Sequence, residues 1–353
     1  MPRRDHGRFD DLLSQVEAER LITSTAARTP AFRLVKAGAA VGAHTEDIPW
    51  RPRPFTGTID VRRAIQEFER GATIVLQALH VSHAPLAAFA RQLEAGFRHP
   101  VQVNAYYTPR AAQGLPVHHD THDVFVLQVA GEKRWRVYAP ALELPLRTQR
   151  YSTELGEPRE TLLDVTMGPG DTLYLPRGWL HEALTSETDS LHLTVGVNVV
   201  TWLDAMRAAL DECADDLRFR RSVDAGDPDE LVETLRGRLV AGDIDRRRSD
   251  WIVRRSRPLL EDGFQQVRAL REFTVDTTVV RRPAIWRLHG HDPFVLEFDG
   301  IAVRLPARVQ EELEFLAGTD GPVTVAELPG QLDDESRLVL VRRLVREGFL
   351  RAV

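Results

Sequence analysis

Several things are scarce in this chain, and each scarcity closes off a class of function. A single cysteine, Cys213, leaves no internal disulfide framework and no cysteine-rich zinc site. No run of eighteen apolar residues occurs, so no segment reads as a membrane-spanning helix. The Arg3-Arg4 pair is not followed by an apolar stretch and does not read as a secretory signal. There is no excess of positive charge: 46 Lys+Arg against 52 Asp+Glu give a net −6, which lends no support to nucleic-acid binding. A cytoplasmic protein is the expectation. Lysine itself is rare. Only Lys36 and Lys133 occur, and in a chain so biased to arginine each marks a position to inspect.

What is present suits a soluble globular protein. The 353 residues are 43% hydrophobic and 28% charged, enough for a sizeable core and for two or three domains. Phe9 to Ile22 reads as a helix, and Pro30 to Pro54 as irregular chain with short strands. Asp60 is placed to cap a helix that ends near Gly71. Thr73 to Leu79 reads as a buried strand, Pro85 to Phe97 as a helix and Val101 to Tyr107 as a strand. From there to Val200 the pattern is many short strands with Gly/Pro turns, which predicts a sandwich or barrel. Val124 to Val129 and Arg134 to Tyr138 flank Ala130-Gly131-Glu132 and are expected to pair as a hairpin.

After Val200 the period becomes helical. Leu203, Met206, Leu210, Cys213 and Leu217 recur at steps of three and four, and Asp227-Pro228 opens a second helix. A third is expected through Trp251 to Phe264. Near the C-terminus, Phe294 to Phe298 and Ile301 to Leu305 flank Asp299-Gly300, a strong hairpin signal. Thr324 and Asp333 are placed to cap two further helices, Gly348 to stop the second, and Phe349 to Val353 to end as a strand. Helix, turn, helix, strand is a winged-helix pattern. Residues 281–353 carry ten Arg and twelve Asp/Glu, so a packing or interaction module is expected there rather than a DNA reader.

Four of the twelve histidines crowd into two short segments, Pro116-Val117-His118-His119-Asp120-Thr121-His122 and Pro176-Arg177-Gly178-Trp179-Leu180-His181. In extended chain, residues i and i+2 face one side, so His118 and Asp120 can offer a nitrogen and an oxygen to one point while His119 faces away. His181, from a distant strand end, would complete a two-histidine, one-carboxylate facial triad, the pattern of non-haem Fe(II) oxygenases. His122 and His192 are rival ligands. On spacing alone the signal is modest; its setting at strand ends of an all-β region, where a barrel mouth would open, strengthens it.

These residues resemble a family. The text Asn104-Ala105-Tyr106-Tyr107-Thr108-Pro109, Gln113-Gly114, His118-His119-Asp120 and Gly131-Glu132-Lys133-Arg134-Trp135 is similar to the JmjC-type ribosomal oxygenases, as are Gly170-Asp171, Leu175-Pro176-Arg177-Gly178, His181 and Leu191-His192-Leu193-Thr194. The resemblance implies a mostly β fold: a double-stranded β-helix (a cupin or JmjC jelly roll) over 1–199. A helical dimerisation block over 200–275 and a winged-helix domain over 276–353 would follow. It implies Fe(II) held by His118, Asp120 and His181, with 2-oxoglutarate as cosubstrate. Lys133 matches the position that grips the distal carboxylate of 2-oxoglutarate, and Tyr106, Thr194 and Asn104 match residues of the same pocket. It also implies a homodimer and a ribosomal protein substrate. The segment Arg110-Ala111-Ala112 departs from the family, which often has Pro-Gly-Ser there, and is expected to border the pocket. Three readings follow: a protein hydroxylase, a tailoring hydroxylase of a peptide natural product or free amino acid, and a cupin-like scaffold without turnover.

Overall fold

The computed structural model describes residues 9–23, 27–42, 45–158, 160–185, 187–224, 226–253, 260 and 262–353. The chain divides into two compact units: one of residues up to Ala90 with Val101–Val199, the other of Arg91–Pro100 with Val200–Val353.

The first unit is built on β1 (Phe32–Lys36), β2 (Ala39–Ala40), β3 (Thr45–Ile48), β4 (Phe55–Ile59), β5 (Thr73–Leu76), β6 (Val101–Thr108), β7 (Asp123–Ala130), β8 (Lys133–Pro140), β9 (Thr161–Met167), β10 (Thr172–Leu175), β11 (Trp179–Leu184) and β12 (Ser190–Val197). Seven of these form one sheet in the order β10-β7-β12-β6-β5-β1-β2, and β11-β8-β9 form a second. Strand alternation explains the pairing of layers. Along β8, Lys133, Trp135 and Val137 are buried while Arg134 is exposed. Val124, Val126, Trp135, Val137, Met167, Leu173 and Leu175 form one buried cluster contributed by both sheets. A fully buried side chain of this kind stabilises the fold by about 1.5–3 kcal/mol.

The expected hairpin of β7 with β8 does not form. β7 pairs with β10 and β12, and β8 with β9 and β11, so the turn carries the chain from one sheet to the other. Gly131 makes that crossing possible. Its φ is +62°, and a Cβ would meet the carbonyl oxygen of Asp189 at 1.7 Å. Lys133 therefore does not sit beside the strand that follows His-x-Asp; it lies on the opposite sheet.

Other local expectations hold with small shifts. The Asp60 carboxylate accepts from Arg63 N at 3.0 Å, capping the helix Val61–Glu69. The first helix starts later than expected, at Gln15, after a turn over 9–12. The strand after Ala72 ends at Leu76, and Leu79 opens a short helix instead.

In the second unit, helices Trp202–Asp211, Pro228–Gly237 and Ala241–Val253 follow one another. The third starts earlier than expected, and residues 254–259 and 261 of that expectation lie outside the described residues. The inward face of Trp202–Asp211 is Ala205 and Ala209, continued by Cys213; Met206, Leu210 and Leu217 are exposed. Helix Gly263–Ala269 belongs with the C-terminal elements rather than with the preceding helices. Gln266 exchanges two hydrogen bonds with the Ala352 backbone, at 3.2 and 2.8 Å, and Leu270 and Phe273 join the C-terminal core. The boundary expected at 275/276 thus cuts through a packed core. That core joins the hairpin Phe294–Phe298/Ile301–Leu305, paired through Asp299-Gly300, to the helix Asp334–Glu347, capped by Asp333 and stopped by Gly348. Trp286–His289 adds a third strand to the hairpin that the sequence pattern missed. The chain as a whole therefore mixes helix and strand; the mostly β description fits the first unit only.

Candidate metal centre

His118 and His181 approach each other through the backbone first. His118 N donates to the His181 carbonyl at 3.1 Å, and His181 N returns a bond to the His118 carbonyl at 2.8 Å. This isolated bridge sits between the His-x-Asp segment and β11, so His181 lies inside a strand, not after one. Asp120 is tied to the same place. Gly178 N donates to its carbonyl at 3.0 Å, and Arg177 N donates to Asp123 Oδ1 at 2.9 Å.

The side chains converge. Ligand atoms of His118, Asp120 and His181 lie within 4.8 Å of one another, and His181 Nε2 stands 3.7 Å from Asp120 Oδ2. Each histidine is oriented by a carbonyl: His118 Nδ1–H donates to Pro116 O at 2.8 Å, and His181 Nδ1–H to Trp179 O at 3.0 Å. That assignment leaves both Nε2 lone pairs free for a metal, the usual way a ligating imidazole is fixed. Burial, followed by the charge of His118, lowers His181 to about 4, so it is neutral and able to ligate at neutral pH. Burial raises Asp120, but the imidazoles led by His181 outweigh it and hold the carboxyl below its ordinary value.

The rivals are placed elsewhere. His119 is buried and turned away, its Nε2 3.1 Å from Gln149 O and its ring edge on Tyr151. His122 Nε2 meets the Gln102 amide at 3.2 Å. His192 lines the cavity but stacks on Tyr106, with ring centroids 5.0 Å apart and planes 4° apart. Burial, and then the nearby Lys133 charge, keep it neutral.

A cavity of about 250 Å³ opens beside the three ligands. Lys133, Tyr106 and Thr194 line it, as expected. Lys133 is 4% exposed, and its Nζ donates to Thr108 Oγ1 at 2.9 Å, which also accepts from Thr73 Oγ1 at 3.1 Å. Among the described residues it forms no ion pair, and burial pulls its pKa down to about 7. Burial and then the Asp120 charge raise Tyr106; hydrogen bonds with Arg33 and Thr194 work against this rise.

Asn104 is the exception. It is absent from the cavity lining, and its Oδ1 accepts from Ala78 N at 3.0 Å. Ala78 has φ +54°, so the amide is engaged in holding a left-handed turn. The Arg110-Ala111-Ala112 segment also stays out of the lining. Arg110 N donates to Asp189 Oδ1 and Ala112 N to Thr185 Oγ1, while Gly114 and Leu115 reach the cavity instead. Among the lining residues that escaped the sequence reading as site residues are Arg33 on β1 and Trp135, whose buried Nε1 has no partner among the described residues. Trp135 lay in plain view on the inward face of a strand beginning with the rare Lys133; nothing local marks Arg33.

Residues 78–205 match the family model described as JmjC domain. The protein named bifunctional lysine-specific demethylase and histidyl-hydroxylase NO66 of Drosophila persimilis is 40% identical over 131 residues, which are 36% of this chain and 19% of that protein. Ribosomal oxygenase 2 of Bos taurus is 38% identical over 146 residues, 39% of this chain and 30% of that protein. The chain spans between 14% and 32% of the length of the first such relatives. Among solved structures, Escherichia coli ribosomal oxygenase YcfD superposes with a TM-score of 0.58 at 20% identity, covering 98% of this chain and 92% of that one. The same protein, solved with cobalt and 2-oxoglutarate, gives a TM-score of 0.56 at 19% identity, covering 98% of this chain and 92% of that one. Residues 78–205 thus match a JmjC domain and are similar in sequence to the ribosomal oxygenases, and the chain shares the fold of YcfD.

Proposed function

We propose that the protein is an Fe(II)- and 2-oxoglutarate-dependent oxygenase that hydroxylates a side chain of a ribosomal protein. One observation carries this: a preoriented His118/Asp120/His181 cluster shares its cavity with a buried lysine that lacks a carboxylate partner among the described residues. The donor set fits the metal, because two imidazoles and one carboxylate leave coordination positions open. The cavity fits the cosubstrate, because a desolvated ammonium needs an anion. When bound, iron and 2-oxoglutarate supply O₂ activation, decarboxylation to succinate and insertion of one oxygen atom into a C–H bond. The chain's own residues do the rest. His118, Asp120 and His181 hold the metal. Lys133 binds the distal carboxylate, and the Tyr106 and Thr194 hydroxyls stand as further donors. Val75, Val124, Val126, Leu175 and Trp135 keep the cavity apolar and exclude water.

The same cluster with Lys133 argues against a scaffold without turnover. The tailoring reading rested on an altered pocket rim, and the Arg110-Ala111-Ala112 segment does not form that rim. The relatives' names, among them ribosomal oxygenase, supply the substrate class. A chain of net −6 also suits a basic partner, which complementary charge would steer to it. The C-terminal elements support a winged-helix module used for packing or interaction. The homodimer is supported by an exposed apolar row on helix Trp202–Asp211: Trp202, Met206 and Leu210 are 68%, 49% and 51% exposed.

The test is release of succinate from 2-oxoglutarate by iron-loaded protein, together with intact masses of ribosomal proteins from wild-type and deletion strains. A ribosomal protein one oxygen atom heavier in the wild type alone is the expected result. Identical mass sets with no succinate formed overturn the reading.

A further inference from the structure

We propose that Arg33 is a charge filter at the cavity mouth, and that the side chain oxidised here is uncharged or anionic, not arginine, lysine or a methylated lysine. The inference rests on the oxygenase reading above and narrows its substrate.

The charged lining of the cavity is lopsided. Among the described residues its only carboxylate is Asp120, already committed to the metal cluster. Its cations are Lys133, deep and buried, and Arg33, which stands on β1 and is exposed. Arg33 shares that lining with Tyr106, and among the described residues it forms no ion pair. A divalent metal and a doubly ionised cosubstrate cancel each other, and Asp120 offsets Lys133. The charge left over is that of Arg33.

A target side chain must shed water to enter. A cationic one would do so beside Arg33, with no free carboxylate to receive it, and like charges brought together at partial desolvation repel strongly. Aromatic faces could stand in for a carboxylate, but they are engaged. Tyr106 lays its ring flat on His192, and Trp135 meets His192 at 83° with centroids 5.5 Å apart. An imidazole, carboxamide or aliphatic target escapes this conflict. It meets Val35 and Val75, and any acceptor it carries can take a hydrogen bond from the Arg33 guanidinium.

Two measurements test this. The first locates the added oxygen on the ribosomal protein by peptide fragmentation; the expected position is not Arg or Lys. The second measures binding of peptides around that position to the protein loaded with Mn(II) and 2-oxoglutarate without O₂. The target residue in these peptides is Gln or Lys. Wild type should prefer Gln by at least about tenfold, and Arg33→Glu should erase or invert that preference. Arg33→Gln should fall between the two, which separates charge from damage to the fold. Oxygen on Arg or Lys, equal binding of both peptides by wild type, or an unchanged ratio in Arg33→Glu overturns the filter while leaving the oxygenase standing. A protein that forms no succinate and oxidises no peptide of either charge overturns the oxygenase reading and the filter with it.

Discussion

Replacing Lys133 by Met should move stability and cosubstrate affinity in opposite directions. Met keeps the length and volume of the side chain and removes the charge. In the free protein that charge is a liability: the ammonium is 4% exposed, has one hydroxyl partner in Thr108, and is pulled by burial to about 7. The fall from an ordinary lysine corresponds to roughly 4–5 kcal/mol at most. An unfolded lysine keeps its proton up to its ordinary value, whereas the folded one loses it near 7. Between those limits the unfolded chain binds more protons, so stability rises with pH across that window, and the cost is full below about 7. Lys133→Met should remove this pH dependence and stabilise the metal-free protein at pH 7 by about 1–3 kcal/mol, less than the full figure because Thr108 loses a partner.

The bound state reverses the sign. A carboxylate paired with Lys133 in this setting is worth about 2–5 kcal/mol on truncation, so 2-oxoglutarate should bind on the order of a hundredfold more weakly or worse to Lys133→Met. Wild-type affinity should also fall as pH rises above about 7, because binding must then take up the proton that the free site has lost. The Met variant should lack that slope. Urea denaturation of metal-free protein gives the first quantity. Titration of 2-oxoglutarate into Mn(II)-loaded protein, followed through the fluorescence of Trp135 on the cavity wall, gives the second. A variant that loses stability and affinity together, or that binds 2-oxoglutarate as the wild type does, would refute the assignment of Lys133.

Asp120→Ala removes the charged member of the metal cluster; iron content after dialysis and succinate release should both drop to background, and normal values for both would sink the ligand assignment. Gly131→Ala places a methyl against the Asp189 carbonyl at a φ of +62°, and urea denaturation should show a loss of more than about 2 kcal/mol. Leu210→Glu puts a charge on the exposed row of helix Trp202–Asp211. Light scattering at micromolar concentration should find a dimer for wild type and a monomer for the variant, and a monomeric wild type removes the case for a dimer.

Where a property depends on neighbours in the chain, the sequence disclosed it. Asp299-Gly300 forces a tight turn, and the flanking strands pair from Phe294↔Leu305 to Phe298↔Ile301. Asp60, Thr324 and Asp333 cap because their short oxygens reach the first turn of the element that follows. His118 and Asp120 share a side through local spacing alone. What stayed hidden depends on contacts between distant segments. A two-strand pattern around Gly131 reads as a hairpin; only the carbonyl of Asp189, pressed where a Cβ would be, shows why the chain instead passes between sheets.

The same division runs through the site. Lys133 was conspicuous by rarity, but its depth is set by the opposite sheet and by Thr73 and Thr108, two strands away. Asn104 and Tyr106 share a strand face, yet one side chain is claimed by the backbone of Ala78 and the other reaches the cavity. Arg33 is one arginine among many in the sequence and acquires meaning only because β1 joins the sheet beside β5 and brings it to the lining. The metal cluster could be read because its chemistry is demanding and two of its ligands are neighbours in sequence. The side chains that would choose a substrate are scattered over strands whose order the sequence does not declare, so specificity is the property that most required the fold.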